Sequence, residues 1–168
     1  MVSLTALWLP IVLSAVAIFF ASSIIHMVFK YHNSEYSQLP DEDGVLAAMR
    51  SAKTSPGFYS FPYAGDMKEM GSPEMLEKYK AGPVGTVNIN PTGAPAMGKH
   101  LGQWFFYTLV VGFFAAYIAS RTMGPGTHYL LVFRVVGATT FLGYAFAHFS
   151  DGVWKMKPWS MTFKHVFD

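Results

Sequence analysis

Three histidines lie at the ends of the long apolar runs of this chain, where imidazole could bind a metal or a haem. His26 ends the first run, His100 begins the second, and His148 lies near the end of the third. Neutral imidazole is a ligand for haem iron and for Zn, Cu or Fe. Two histidines on facing helices at similar depth could hold a b-type haem, and a chlorophyll-type pigment needs only one. These three side chains form the candidate cofactor site.

A structural role is the alternative for all three histidines, because histidines near a membrane interface also hydrogen-bond to backbone carbonyls or lipid head groups. A metal-binding pair on one helix usually has the spacing H-x-x-x-H or E-x-x-H, and neither occurs in this sequence. The chain has no cysteine, which excludes thiolate metal sites and iron–sulfur clusters. The cofactor is therefore unknown, with haem or a chlorophyll-type pigment as candidates.

Other kinds of chemistry have no support in the sequence. The motifs G-x-S-x-G, H-E-x-x-H and the P-loop do not occur, so there is no reason to expect an enzyme. The net charge is +2 and the basic residues are scattered singly, so we expect no binding to nucleic acid. The apolar runs carry no acidic residue at their middle, so an ion path would need several assembled copies.

Three apolar segments must position these histidines. The composition is 52% hydrophobic and only 13% charged, whereas soluble proteins are about 25% charged. Leu4 to Ile25 is almost unbroken apolar sequence and would be about 33 Å long as a helix. Leu101 to Ser120 and Tyr129 to Ser150 follow, separated by Met123-Gly124-Pro125-Gly126, which cannot continue a helix. The sequence therefore predicts an all-α integral membrane protein with three transmembrane helices, the last two forming a hairpin.

The segment between the first two spans is too long for a bare linker and too polar for an independent core. Pro40 with the acidic residues after it predicts one short helix, and Ser72-Pro73 begins a second that Gly82-Pro83 ends. Thr86 to Ile89 is a candidate strand, so we expect a small, mostly irregular extramembrane cap. The predicted segments are the first transmembrane helix (1–30), a polar cytoplasmic cap with two short helices (31–99), the transmembrane hairpin (100–151) and an amphipathic interfacial C-terminal segment (152–168).

Small residues recur at every fourth position of the second and third spans, where they let helix backbones approach closely. Such faces serve either the hairpin's own contact or a contact with another membrane subunit. Three helices offer little interior for a site, so we expect a non-catalytic accessory or assembly subunit of a larger bacterial complex, with respiratory and photosynthetic complexes as candidates. The alternative is a small redox protein that binds haem, metal or pigment through histidine. The small residues are Gly112, Ala116 and Ser120, and Thr139, Gly143 and Ala147.

Several runs together resemble those of bacterial inner-membrane proteins without assigned activity. They are Leu7-Trp8-Leu9-Pro10, the run from Ala21 to Met27, Gly102-Gln103-Trp104-Phe105, and Trp154 with Pro158-Trp159. The resemblance covers most of the chain and implies a helical protein of the inner membrane, with no activity or functional residue to carry over. Proteins of this family continue past the Pro-Trp segment into another hydrophobic helix. A fourth helix after Asp168 is therefore expected to be missing from this sequence.

The basic residues near the ends of the spans predict the orientation, because such residues are enriched in cytoplasmic loops. The bias predicts that the N-terminus lies outside and that the large loop and C-terminus lie in the cytoplasm. The expected partners of such a protein are membrane lipid and other membrane subunits. Lys30, Lys99, Lys155, Lys157 and Lys164 lie on the loop side, and Arg121 lies on the other side.

This orientation can be tested by thiol labelling, because a chain without cysteine carries only the thiol that is introduced. With a membrane-impermeant reagent, we expect Ser3→Cys to be labelled in intact cells and Ser60→Cys only after the cells are opened. The reverse pattern would invert the orientation and move the histidines to the outer side of the membrane.

Overall fold

The structure is a computed structural model that describes residues 2–168. Contacts divide the chain into two compact units, of which one consists of the chain up to Ser37 together with Ala96–Asp168, and the other is Gln38–Pro95. In chain order the elements are α1 (Leu4–Phe29), α2 (Glu42–Ser51), β1 (Gly57–Phe61), α3 (Met67–Met70), α4 (Pro73–Ala81), β2 (Gly85–Ile89), α5 (Met97–Thr122), α6 (Tyr129–Trp154) and α7 (Trp159–Phe167).

Three of these helices, α1, α5 and α6, are long and apolar enough to cross a membrane, which confirms the predicted number of long apolar helices. Each is longer than the apolar run that predicted it, because residues beyond that run continue the same helix. α5 begins at Met97, before His100, and α6 continues beyond Ser150 to Trp154. The side chain of His100 is therefore carried by regular helical backbone.

Two of the long helices contain a wider turn, in which the backbone hydrogen bonds span five residues. α1 ends in such a π turn at Ile25–Phe29, and α6 is interrupted by one at Phe141–Ala145. Wide turns of this kind occur frequently at functional sites. His26 lies within the first turn, and His148 follows the second by one helical turn.

Alanines form the close contacts inside the unit of long helices. α1 packs against α5, and α5 packs against α6. Ala15, Ala115 and Ala145, one from each helix, are buried. Small side chains bring helix backbones together, and in lipid such packing contacts replace the hydrophobic effect as the driving force. The four-residue spacing used in the sequence did not identify these alanines.

The predicted small face of α5 approaches α1 at Gly112. A Cβ atom placed on Gly112 would lie 3.5 Å from the Ile11 side chain, so there is room for little more than a methyl group. Ser120 is buried and donates its hydroxyl to the Tyr117 carbonyl, whereas Ala116 is half-buried. This face therefore serves packing within the chain.

The predicted small face of α6 is mostly open. Thr139 is half-buried and donates its hydroxyl to the Val135 carbonyl. Gly143 and Ala147 are exposed, and no atom of the described residues lies within 4 Å of a Cβ placed on Gly143. A larger side chain at this position would therefore meet nothing inside the chain.

The unit Gln38–Pro95 contains a two-stranded antiparallel sheet, which corrects the all-α prediction. β1 and β2 pair along their whole length, with Tyr59 opposite Val87 at the centre. The sequence predicted the second strand but not the first. The reason is that the aromatic residues of β1 do not alternate with polar ones. Without that alternation, the strand becomes evident only when the structure shows which strand it pairs with.

Helices α2 and α4 are the two short helices that the sequence predicted. The Asp41 carboxylate accepts a hydrogen bond from the Gly44 N–H and caps α2. The Ser72 hydroxyl accepts one from the Met75 N–H and caps α4. These side chains pair N–H groups that the first turn of a helix cannot pair itself, so both starting points are set by local chemistry.

The contact of Gly112 with α1 predicts a stability effect. Gly112→Leu should lower the free energy of unfolding by about 1–3 kcal/mol, because the added atoms overpack against Ile11. Gly102→Leu is the matched control, since apart from its own stretch of helix no atom of the described residues lies within 4 Å of a Cβ there, and no loss of stability is expected. Equilibrium unfolding in detergent micelles measures both, and an equal loss in the two variants would contradict the packing.

Candidate metal centre

Four histidines converge where α1 and α6 end and α7 lies. The His26 ring is parallel to the His32 ring, with 4.6 Å between their centroids. His32 lies 5.2 Å from His165, which stacks on His148 at 5.1 Å. The rings form a continuous row from α1 to α6. Two of the three histidines predicted from sequence, His26 and His148, therefore belong to one cluster.

A chain reversal after α1 brings the centre of this row into place. Lys30 has a left-handed backbone conformation with φ 55°, which costs about 1–2 kcal/mol in a residue other than glycine. The chain then forms a 3-10 turn at Tyr31–Glu35. Lys164 of α7 clamps this turn, since its Nζ atom donates to the Tyr31 carbonyl at 2.8 Å and to Ser34 Oγ at 2.6 Å.

His32 lies between two carboxylates. Its Nδ1 atom is 2.5 Å from Glu35 Oε1, and its Nε2 atom is 2.6 Å from Asp168 Oδ2. His32 is 7% exposed, and the side chains of Glu35 and Asp168 are 3% and 8% exposed. When both of its nitrogens are protonated, His32 donates to both carboxylates. Buried carboxylates of this kind need a balancing positive charge from a proton or a metal.

Burial shifts the acid–base behaviour of two groups in this cluster. Burial raises the pKa of the Asp168 carboxyl, and the charge of His26 opposes that rise. Burial also lowers the pKa of the His165 imidazole; the Glu35 carboxylate opposes this, and the neighbouring His148 adds to it. The His165 shift favours the neutral imidazole, which keeps a lone pair available for a metal.

Within residues 2–168, two sets of three side chains have ligand atoms within 4.8 Å of one another. They are His26, His32 and Asp168, and His32, Glu35 and His165. The second set, which we call the metal centre, is the more enclosed, because His26 is exposed. Ligand atoms around one zinc ion lie about 3.3 Å apart when each bond is about 2 Å long, so small side-chain movements suffice. Two imidazoles and one carboxylate suit Zn, Fe(II) or Mn.

The row of rings favours a single ion over a haem or pigment. An iron held by two axial histidines needs a flat slot for the macrocycle between their rings. His26 contacts His32, and His148 contacts His165, so imidazole rings lie on the path from His26 to His148. The two predicted ligands therefore do not face each other across an open slot.

His100 is separate from this cluster. It lies in the first turn of α5 and is exposed, and among residues 2–168 it belongs to neither set of ligand atoms. Its position near the same end of a span made it a candidate, but depth alone does not determine which way a side chain faces around its helix. It serves below as a control of the same residue type.

The metal centre includes two histidines that the sequence patterns above do not identify. His32 precedes Glu35 by three residues, and His165 precedes Asp168 by three. Residues three apart on a helix or tight turn lie on one face. This H-x-x-acid spacing also occurs at His148, so half of the six histidines carry it. That repetition is the signal that could have identified them.

The histidine cluster is the feature of this chain that bears most directly on its function. The metal centre joins a turn after α1 to α7, and its ligand types are common to many unrelated metal proteins. Its chemistry must therefore be argued from its own geometry. No family model, curated protein or solved structure matches this chain.

Proposed function

We propose that this chain is a multi-pass protein of the bacterial inner membrane that binds one transition-metal ion through His32, Glu35 and His165. The observation that carries the proposal is the approach of these three ligand groups within 4.8 Å. His32 and Glu35 share the turn after α1, whereas His165 belongs to α7, so local spacing alone does not explain the meeting of all three. The Glu35 carboxylate is nearly fully buried, and a divalent ion would balance its charge.

The surface of the long helices supports membrane insertion. Large apolar side chains are exposed along all three, among them Phe20, Phe106 and Phe133. A soluble monomer rarely exposes a contiguous apolar patch of this extent, whereas lipid satisfies it. With the N-terminus outside, as the lysine bias predicts, the metal centre lies at the cytoplasmic end of the helices.

A second function, that of an accessory or assembly subunit, rests on the open face of α6. Gly143 and Ala147 are exposed there, although small residues in membrane helices usually serve close helix contacts. A helix of another subunit could approach the backbone at this place. The larger complex would be a respiratory or photosynthetic one, and metal binding is compatible with such a role.

Metal binding can be measured by titrating the metal-free protein in lipid nanodiscs with Co²⁺, whose visible absorption reports its ligands. We expect one Co²⁺ per chain. His32→Ala and His165→Ala should each weaken binding by about 100-fold or more, because the loss of even a supporting group around a metal costs 10–100-fold. His100→Ala should bind as the wild type does. Absence of saturable binding, or an equal loss in His100→Ala, would refute the metal centre.

The accessory role can be measured by native gel migration after mild solubilisation. Gly143→Leu should release the chain from its complex while insertion stays normal, because leucine fits the open space within the chain. Ala138→Leu is the control, since Ala138 is also exposed but lies about 140° around the helix from Gly143. A wild-type chain that migrates as a stable monomer would exclude this role.

A further inference from the structure

The two ring nitrogens of His32 have different partners, and only one of them faces the metal centre. Nδ1 is 2.5 Å from Glu35 Oε1, and Nε2 is 2.6 Å from Asp168 Oδ2. The second carboxylate oxygen of Glu35, Oε2, lies 3.3 Å from His165 Nε2. The three ligand groups of the metal centre therefore meet on the Nδ1 side of His32. Asp168 contacts the other nitrogen, which binds no ligand group of that centre.

His26 and His32 cannot hold an ion together with Asp168 in this geometry. The lone pair of an imidazole nitrogen lies in the plane of the ring, so a bound ion lies close to that plane. The rings of His26 and His32 are stacked, with an angle of 2° between their planes. Two stacked planes share no place where one ion could meet both lone pairs. The partner of Asp168 at Nε2 is therefore the N–H of the ring and not a second ion.

The contact between Asp168 and His32 stays the same when an ion binds at Nδ1. A metal replaces the proton on the nitrogen that it occupies, while Nε2 keeps its proton and donates to Asp168 Oδ2. This hydrogen bond fixes both the tautomer and the rotation of the ring. A histidine that binds a metal commonly donates its other N–H to a carboxylate in this way, and loss of that carboxylate weakens metal binding by about 10–100-fold.

Helix α7 brings Asp168 to this place together with His165. The Asp168 N–H donates to the Lys164 carbonyl at 3.1 Å, so the last turn of α7 holds its backbone. Beside it, a cavity of about 390 Å³ lies between α1, α5 and α6, and Asp168 and His26 are among the residues that line it. The surroundings of Asp168 thus contain open volume, and an asparagine of the same shape fits there without overpacking.

We propose that Asp168 is a positioning residue of the metal centre. Its carboxylate accepts the Nε2–H of His32 and so directs Nδ1 at an ion shared with Glu35 and His165. This inference rests on the proposed function, because it assigns a further residue to the same site. Helix α7 then acts twice, since it supplies His165 as a ligand and Asp168 as the group that orients a ligand on the turn after α1.

The test titrates the metal-free full chain in lipid nanodiscs with Co²⁺. Asp168→Asn removes the charge, and Asp168→Ala removes the acceptor. Each should weaken binding by about 10–100-fold, while one Co²⁺ per chain still binds with the visible absorption of the wild type, because all three ligands remain. Asp151→Asn is the matched control and should bind as the wild type does, since Asp151 pairs with Lys155 and Lys157.

Double substitutions separate this role from a general one in holding α7 in place. If Asp168 acts through His32, Asp168→Asn should weaken Co²⁺ binding further in the His165→Ala background and have no further effect in the His32→Ala background. A residue that only holds α7 would act through His165 and show the opposite pattern. In the Zn²⁺-loaded wild type, NMR should detect a His32 imidazole N–H that exchanges slowly with solvent and is lost in Asp168→Ala.

The possible outcomes distinguish this inference from the metal centre itself. Saturable Co²⁺ binding in the wild type, with the same affinity in Asp168→Asn and Asp151→Asn, would overturn the positioning role and leave the metal centre intact. The opposite pattern in the double variants would also overturn it. No saturable binding in the wild type would refute both. Asp168→Asn keeps the shape of the side chain, so it decides the question if Asp168→Ala does not fold.

Discussion

The buried imidazole of His32, held between the carboxylates of Glu35 and Asp168, is the interaction on which this end of the molecule depends. Its two nitrogens lie 2.5 and 2.6 Å from carboxylate oxygens, so one ring connects the turn after α1 to the end of α7. Removing charged groups from water is costly, and the two carboxyl groups therefore require a compensating positive charge at this place. A metal ion, or a proton held between the ring and its carboxylates, would supply it.

The packing of the long helices explains why a cavity lies beside this cluster. At Gly112 the α5 backbone approaches Ile11 of α1, because no side chain separates them. About 8–12 Å further towards the cluster along α5, the wall residues are the large rings of Tyr107 and Trp104 instead. Large rings hold two helices apart wherever the rings do not pack fully between the side chains of the neighbouring helix. The change from small to large residues therefore leaves space between the helices.

The metal centre and the cavity beside it are formed by different interactions. The metal centre depends on buried charge and on the approach of His165 to the turn that holds His32 and Glu35. The cavity is lined mainly by apolar side chains and by the rings of Trp104, Tyr107 and Tyr144. His26 and Asp168 line the cavity and also contact His32.

Local chemistry determined the features that could be predicted from the sequence. The three long helices follow from apolar length, the hairpin from Gly124-Pro125-Gly126, and the starts of α2 and α4 from the capping groups of Asp41 and Ser72. Each depends on a few neighbouring residues, so no distant partner is needed.

Only the tertiary structure decided which histidines meet. His32 and Asp168 are 136 positions apart, and their contact requires the reversal at Lys30 and the clamp from Lys164. It also decided that β1 pairs with β2, and that the small face of α5 is used while that of α6 stays open. Such choices depend on the direction in which a side chain faces across the fold, which residue type and spacing along the chain do not determine.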